Sequence, residues 1–176
     1  MTNHVAARIL CSLAALVVAV FGLGAVAFAQ SADDLTPEKL DVIRMRCSSS
    51  QFALRQIEKR DAVSRINRGR AYDQTLRQLS AFNSRFVYNK ISAPDLAQIT
   101  SDIQTNVDKF RSSYDHYDSD ITEALKTNCK DKPSDYYQLV VKARADRAIV
   151  GQQVTAINDL LGQYRAALLK YKDTVQ

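Results

Sequence analysis

Apolar residues recur along the chain at alternating steps of three and four, the period of helices that each bury one stripe. The clearest series is Val140, Ala143, Arg147, Val150, Val154, Ile157, Leu161, Tyr164, Leu168 and Tyr171. It predicts a long helix with a coiled-coil seam and one polar position, Arg147. A second series runs through Leu96, Ile99, Ile103, Asn106, Phe110, Tyr117, Ile121 and Ala124. The first in the chain reads Leu40, Ile43, Cys47, Ser50, Leu54 and Ile57, then resumes at Tyr72, Leu76, Leu79 and Phe86. Asp61, Arg65 and Gly69 fill the gap at four-residue steps, a stutter that locally unwinds a left-handed supercoil.

Three prolines punctuate these series. Pro37, Pro94 and Pro133 each stand just before a helical pattern, where the missing N–H has no helical partner to lose. Thr36 is a suitable N-cap before Pro37, Ser92 or Ala93 precedes Pro94, and Ser134 or Asp135 starts the last helix. Glu38, Asp95 and Asp135 follow, where the helix dipole favours negative charge. Helices are therefore expected at 37–89, 94–128 and 134–172. Short links at Asn89–Ala93 and Lys130–Pro133 make neighbouring helices antiparallel. The expected fold is all-α: an elongated antiparallel three-helix bundle or coiled coil that resembles a spectrin-like repeat in shape only. Residues 37–49 overhang the third helix or pack beside its start. A long hairpin that assembles with copies of itself, a homo-oligomer, is the structural alternative.

The first residues read as an address. His4 and Arg8 precede an uncharged apolar run from Ile9 to Phe28 that ends in Ala27-Phe28-Ala29. A basic start, an apolar stretch and an A-x-A site describe a signal peptide over 1–29, cleaved before Gln30. The run is also nearly long enough to span a bilayer, so an N-terminal membrane anchor is the alternative. Residues 30–36 form a short linker and 37–176 the helical domain. Cys11 falls too early in the run to be a lipid-attachment cysteine. On either reading the domain is exported, to the periplasm, the cell surface or the medium.

An exported domain meets oxidising conditions, and its two remaining thiols, Cys47 and Cys129, suggest one disulfide. Regular helices resist that pairing. Cys47 lies 42 residues before Asn89, whereas Cys129 lies 35 after Pro94, a mismatch of about 10 Å. The bridge therefore requires extended chain after Thr127 or a bend at Ser48-Ser49-Ser50. Redox catalysis is disfavoured, since there is no C-x-x-C pair.

Charge changes the picture at two places. Asp61 and Arg147 fall on seam positions at nearly the same height as His116, and together they predict a polar layer in the core. An ion pair fixing register explains such a layer; an acid–base cluster of Asp61, His116 and Tyr117 would need a substrate pocket that a slim bundle does not offer. Asp115-His116-Tyr117-Asp118-Ser119-Asp120 has neither the facing nor the loop glycine of a metal site, and neither metal nor cofactor is expected.

The second place is the segment from Arg55 to Arg70, with six basic and two acidic residues. Arg44, Arg55, Lys59, Arg70 and Arg77 return to one helical face opposite Leu54 and Ile57. A solvated helix face accounts for this stripe. If it acts, it takes extended anions: an acidic envelope polymer, an anionic lipid headgroup or an acidic partner protein. Nucleic acid is not favoured, because no aromatic series is interleaved with the stripe. No catalytic motif is present. The expected function is that of a non-enzymatic exported protein acting through surface contacts, a structural, adhesion or binding component of the cell envelope. A chaperone-like holder that assembles through its helices is the alternative, and an enzyme comes third.

Overall fold

The computed structural model describes residues 35–171. The expected signal segment, most of the linker and the last five residues lie outside that range. Within it the chain is all-helical: α1 (Pro37–Met45), α2 (Cys47–Tyr88), α3 (Pro94–Lys126) and α4 (Pro133–Lys170). Pro37, Pro94 and Pro133 are the first residues of α1, α3 and α4, so the last helix starts one residue before the expected Ser134. Thr36 caps α1, its Oγ1 accepting from the Lys39 N–H at 3.4 Å. Neither Ala93 nor Lys132 offers a side-chain cap to α3 or α4.

Side-chain bonds fix the helix directions. Along α2 and α3 the pairs Gln51–Thr127, Asp61–Tyr117, Arg65–Asp115, Asp73–Arg111 and Asn83–Thr100 run in opposite senses, so these helices are antiparallel. Asp120–Lys142 and Asp95–Tyr171 do the same for α3 and α4. Charge supports this pairing. Helix α2 carries eight basic against three acidic residues, and α3 seven acidic against three basic.

Helix α3 is central: Leu96, Ile103, Val107, Phe110 and Ile121 are almost completely removed from solvent. Its backbone lies close to both neighbours, whereas no Cα of α2 comes within 8 Å of a Cα of α4. Only long side chains cross between those two, as in Asp61–Arg147, Asn83–Tyr164 and Phe86–Tyr171. The predicted seam of α4 is correspondingly divided. Ala143, Ile157 and Tyr164 are buried, while Val140, Val150, Val154 and Leu161 are only partly covered.

The link between α2 and α3 is a Schellman turn. The Ile91 N–H donates to the Phe86 carbonyl at 2.9 Å and the Lys90 N–H to that of Val87 at 3.0 Å. Lys90 takes the left-handed position that such a turn requires, with φ of 57°.

Cys47 and Cys129 are disulfide-bonded, with their Cα atoms 5.4 Å apart. Helix α3 stops at Lys126, and Thr127 is extended, with φ of −77° and ψ of 124°. This is the escape from helix that the length mismatch demands. The corner beyond is held locally: Lys130 N–H donates to Asn128 Oδ1 at 3.0 Å, and Lys132 N–H to the Asn128 carbonyl at 2.8 Å. Gln51 ties it to α2 by donating to the Thr127 carbonyl at 3.0 Å.

The expected continuous first helix is interrupted. The break falls at Arg46, with φ of −93° and ψ of 6°, not at Ser48–Ser50, which are helical. Its physical origin is tertiary. Cys47 is fixed to Cys129, while α1 packs beside the start of α4 and brings Leu35, Val42 and Ile43 up to Tyr137.

Candidate functional site

The separation of α2 from α4 leaves a groove floored by α3. One stretch, of about 260 Å³, is lined by Arg65 and Arg68 on α2, Phe110, Tyr114 and Tyr117 on α3, and Val150 and Val154 on α4. A second, of about 420 Å³, runs past Leu54, Ile57, Ile121, Tyr136 and Val140. Asp61 and Arg147 meet between the α2 and α4 walls.

Arg147 grips the Asp61 carboxylate in bidentate fashion, Nε to Oδ2 at 2.6 Å and Nη2 to Oδ1 at 3.1 Å. The Tyr117 hydroxyl donates to the same Oδ2 at 2.8 Å. Burial acts to raise the Asp61 carboxyl, but the bonds from Arg147 and Tyr117 outweigh it and hold the group below the usual carboxylate range. The third member of this layer is Tyr117 rather than His116. His116 is exposed, one residue and hence about 100° around α3 from Tyr117, and it acts through space on Asp120 and Asp146.

The tyrosines of the groove are poor reactants. Burial, followed by the Asp61 and Asp118 charges, pushes Tyr114 up to about 12. Burial and the bond to Asp61 push Tyr117 up as well. At neutral pH both stay protonated, so neither supplies a base or a nucleophile.

A separate polar cluster joins α3 to α4. Asp120, 4% exposed, accepts from Lys142 Nζ at 2.7 Å through Oδ1, while its Oδ2 has no donor as long as Asp146 is ionised. Asp146 lies one turn after Lys142. Burial acts to raise Asp120, yet Asp146 and Lys142 together hold it low; hydrogen bonding to Asp120, burial and charge repulsion push Asp146 up. Asp146→Asn supplies an amide donor and removes the repulsion. We expect it to raise the unfolding free energy by about 1 kcal/mol near neutral pH. The gain shrinks as pH falls through the raised Asp146 value, because the protonated carboxyl then donates in the wild type. Urea unfolding at neutral and acidic pH checks both statements. Among the described residues no group of His, Cys, Asp and Glu is arranged to hold a metal ion.

The basic stripe survives on α2 alone. Arg44 sits on α1, beyond the break, and pairs with Asp41 at 2.7 Å. Arg55, Lys59, Arg70 and Arg77 are exposed, and among the described residues no ion pair engages them. They are not alone on that face. Phe52 (65% exposed), Val63 (58%) and Ile66 (51%) share it. These three lie on the side opposite the buried seam, so the seam pattern carries no trace of them. Their spacing from Lys59 and Arg70, in steps of 3, 4 and 7, was the available signal.

Compared with protein-family models, curated proteins and solved structures, the chain matches none. A further apolar surface lies at the end opposite the disulfide, where Phe82, Phe86, Ile91, Leu168, Leu169 and Tyr171 line a depression of about 430 Å³. Among the described residues no helix is long and apolar enough to cross a membrane.

Proposed function

We propose that this is a non-enzymatic exported helical protein that works by surface contact in the cell envelope, with the outer face of α2 as its contact surface. In this reading residues 1–29 are removed before Gln30, and 37–176 form an elongated up-down-up three-helix bundle. The observation that carries it is the row of four exposed, unpaired cations, Arg55, Lys59, Arg70 and Arg77, on one straight element. Unpaired surface guanidinium and ammonium groups are available to an anionic partner without first breaking an internal bond. The Cys47–Cys129 bridge is compatible with an oxidising compartment.

The test is cosedimentation of the purified protein with a crude envelope fraction containing wall polymer and membrane together. Binding is expected at low salt and lost at high salt. The Arg55→Gln/Lys59→Gln/Arg70→Gln variant should bind about 100-fold more weakly, at roughly fivefold per cation. Equal binding by that variant would overturn the assignment of the surface. A chaperone-like holder is the second reading, favoured by the exposed Phe82, Val87, Tyr88 and Leu169 at one end; it would show as suppressed aggregation of an unfolded client.

A further inference from the structure

The outer face of α2 combines two kinds of side chain that a polyanion site has no need to mix. At about 100° per residue, Phe52, Val63 and Ile66 share an arc of about 80° with Arg55, Lys59, Arg70 and Arg77, opposite the buried Leu54, Tyr72 and Leu79. The one acid in that arc among the described residues, Asp73, is engaged by Arg111 of α3. From Phe52 to Arg77 the face runs about 38 Å along a single uninterrupted helix.

From this face we infer that α2 is an interfacial helix, one that lies on an anionic lipid bilayer with Phe52, Val63 and Ile66 inserted between headgroups. This rests on the contact reading above and names its partner. Arg55, Lys59, Arg70 and Arg77 meet lipid phosphates at the level where the apolar side chains enter the acyl boundary. A soluble polyanion has nothing for the three apolar side chains to bury against. A second copy of the chain fits poorly as well. Two α2 faces repel, and the acid-rich α3 exposes no large apolar residue among those described. A bilayer supplies both negative charge and an apolar layer.

The experiment uses the purified oxidised protein and two probes: phosphatidylglycerol/phosphatidylcholine vesicles and soluble inorganic polyphosphate. Wild type is expected to bind the mixed vesicles in a salt-dependent manner and pure phosphatidylcholine vesicles hardly at all. Phe52→Ser/Val63→Ser/Ile66→Ser changes only exposed positions, so folding should persist. It should lose at least about tenfold in vesicle affinity while binding polyphosphate as the wild type does. The chain contains no Trp, so Phe52→Trp is a single-site reporter whose emission should shift to the blue on vesicles and stay unchanged with polyphosphate.

If the apolar variant binds vesicles as tightly as wild type, or the Phe52→Trp reporter shows no shift on bound vesicles, insertion is overturned while the contact surface stands. If wild type ignores the vesicles yet sediments with the envelope fraction, the partner is a wall polymer or protein and the lipid inference fails. Undiminished envelope binding by the Arg55→Gln/Lys59→Gln/Arg70→Gln variant would remove both readings.

Discussion

Reducing the Cys47–Cys129 bond is expected to lower the unfolding free energy by about 4 kcal/mol. The bond closes a loop across a sequence separation of 82, and in the chain-entropy account its loss releases that loop in the unfolded state. Both half-cystines are buried, so their side chains remain packed after reduction while the constraint on the unfolded chain disappears. For a domain of this size the change corresponds to a fall in melting temperature of about 10–15 °C. Thermal scans with and without reductant measure it. Cys47→Ala/Cys129→Ala separates the bond from any side effect of the reductant. Melting temperatures that agree within about 2 °C would show that the corner at Asn128–Lys132 holds by its local hydrogen bonds alone.

The second large effect concerns the strut between α2 and α4. Asp61→Ala leaves the Arg147 guanidinium and the Tyr117 hydroxyl without their shared acceptor, between two helices whose backbones do not touch. Breaking a fully buried pair costs about 3–5 kcal/mol. The Asp61 side chain is 16% exposed, but that of Arg147 is 58% exposed and regains water, so about 2 kcal/mol is expected. Asp61→Asn keeps an acceptor for Tyr117 and should lose less.

The pH dependence has a definite sign. Because the folded carboxyl lies below its ordinary value, its stabilisation is complete above the unfolded pKa of about 4 and is lost as pH falls through the folded value. Asp61→Ala should therefore flatten that part of the acid limb. Urea unfolding across acidic pH decides it; a variant within about 0.5 kcal/mol of wild type at neutral pH would mean the strut is dispensable.

Much of this architecture was legible in the residues because local rules govern it. Proline marks the helix starts at Pro37 and Pro94 to the residue and the last to within one, since its chemistry does not depend on distant contacts. The end of α3 was readable in part: pairing Cys47 with Cys129 required either extended chain after Thr127 or a bend at Ser48–Ser50, and the structure takes the first, ending α3 at Lys126 rather than at 128. The break at Arg46 was not. Three serines form the weaker helical segment, but the position is decided by α1 leaning on α4, which no local pattern encodes. Height along the bundle placed Asp61 and Arg147 correctly, while a rotation of one residue put Tyr117, not His116, beside them. The groove was hidden for a different reason. A seam pattern says which side of a helix faces inward, not how far apart two such helices settle, and the large side chains between α2 and α4 set that distance.

The opposed charges of α2 and α3 have a rotational consequence. With the central α3 anionic by four charges, α2 cationic by five and α4 cationic by two, the helical domain carries an electric dipole whose positive end lies on the side of α2 and α4. Near any negatively charged surface that dipole experiences a torque, turning α2 inward and α3 outward before contact is made. An encounter with the anionic surface proposed above would then begin with α2 already turned toward it.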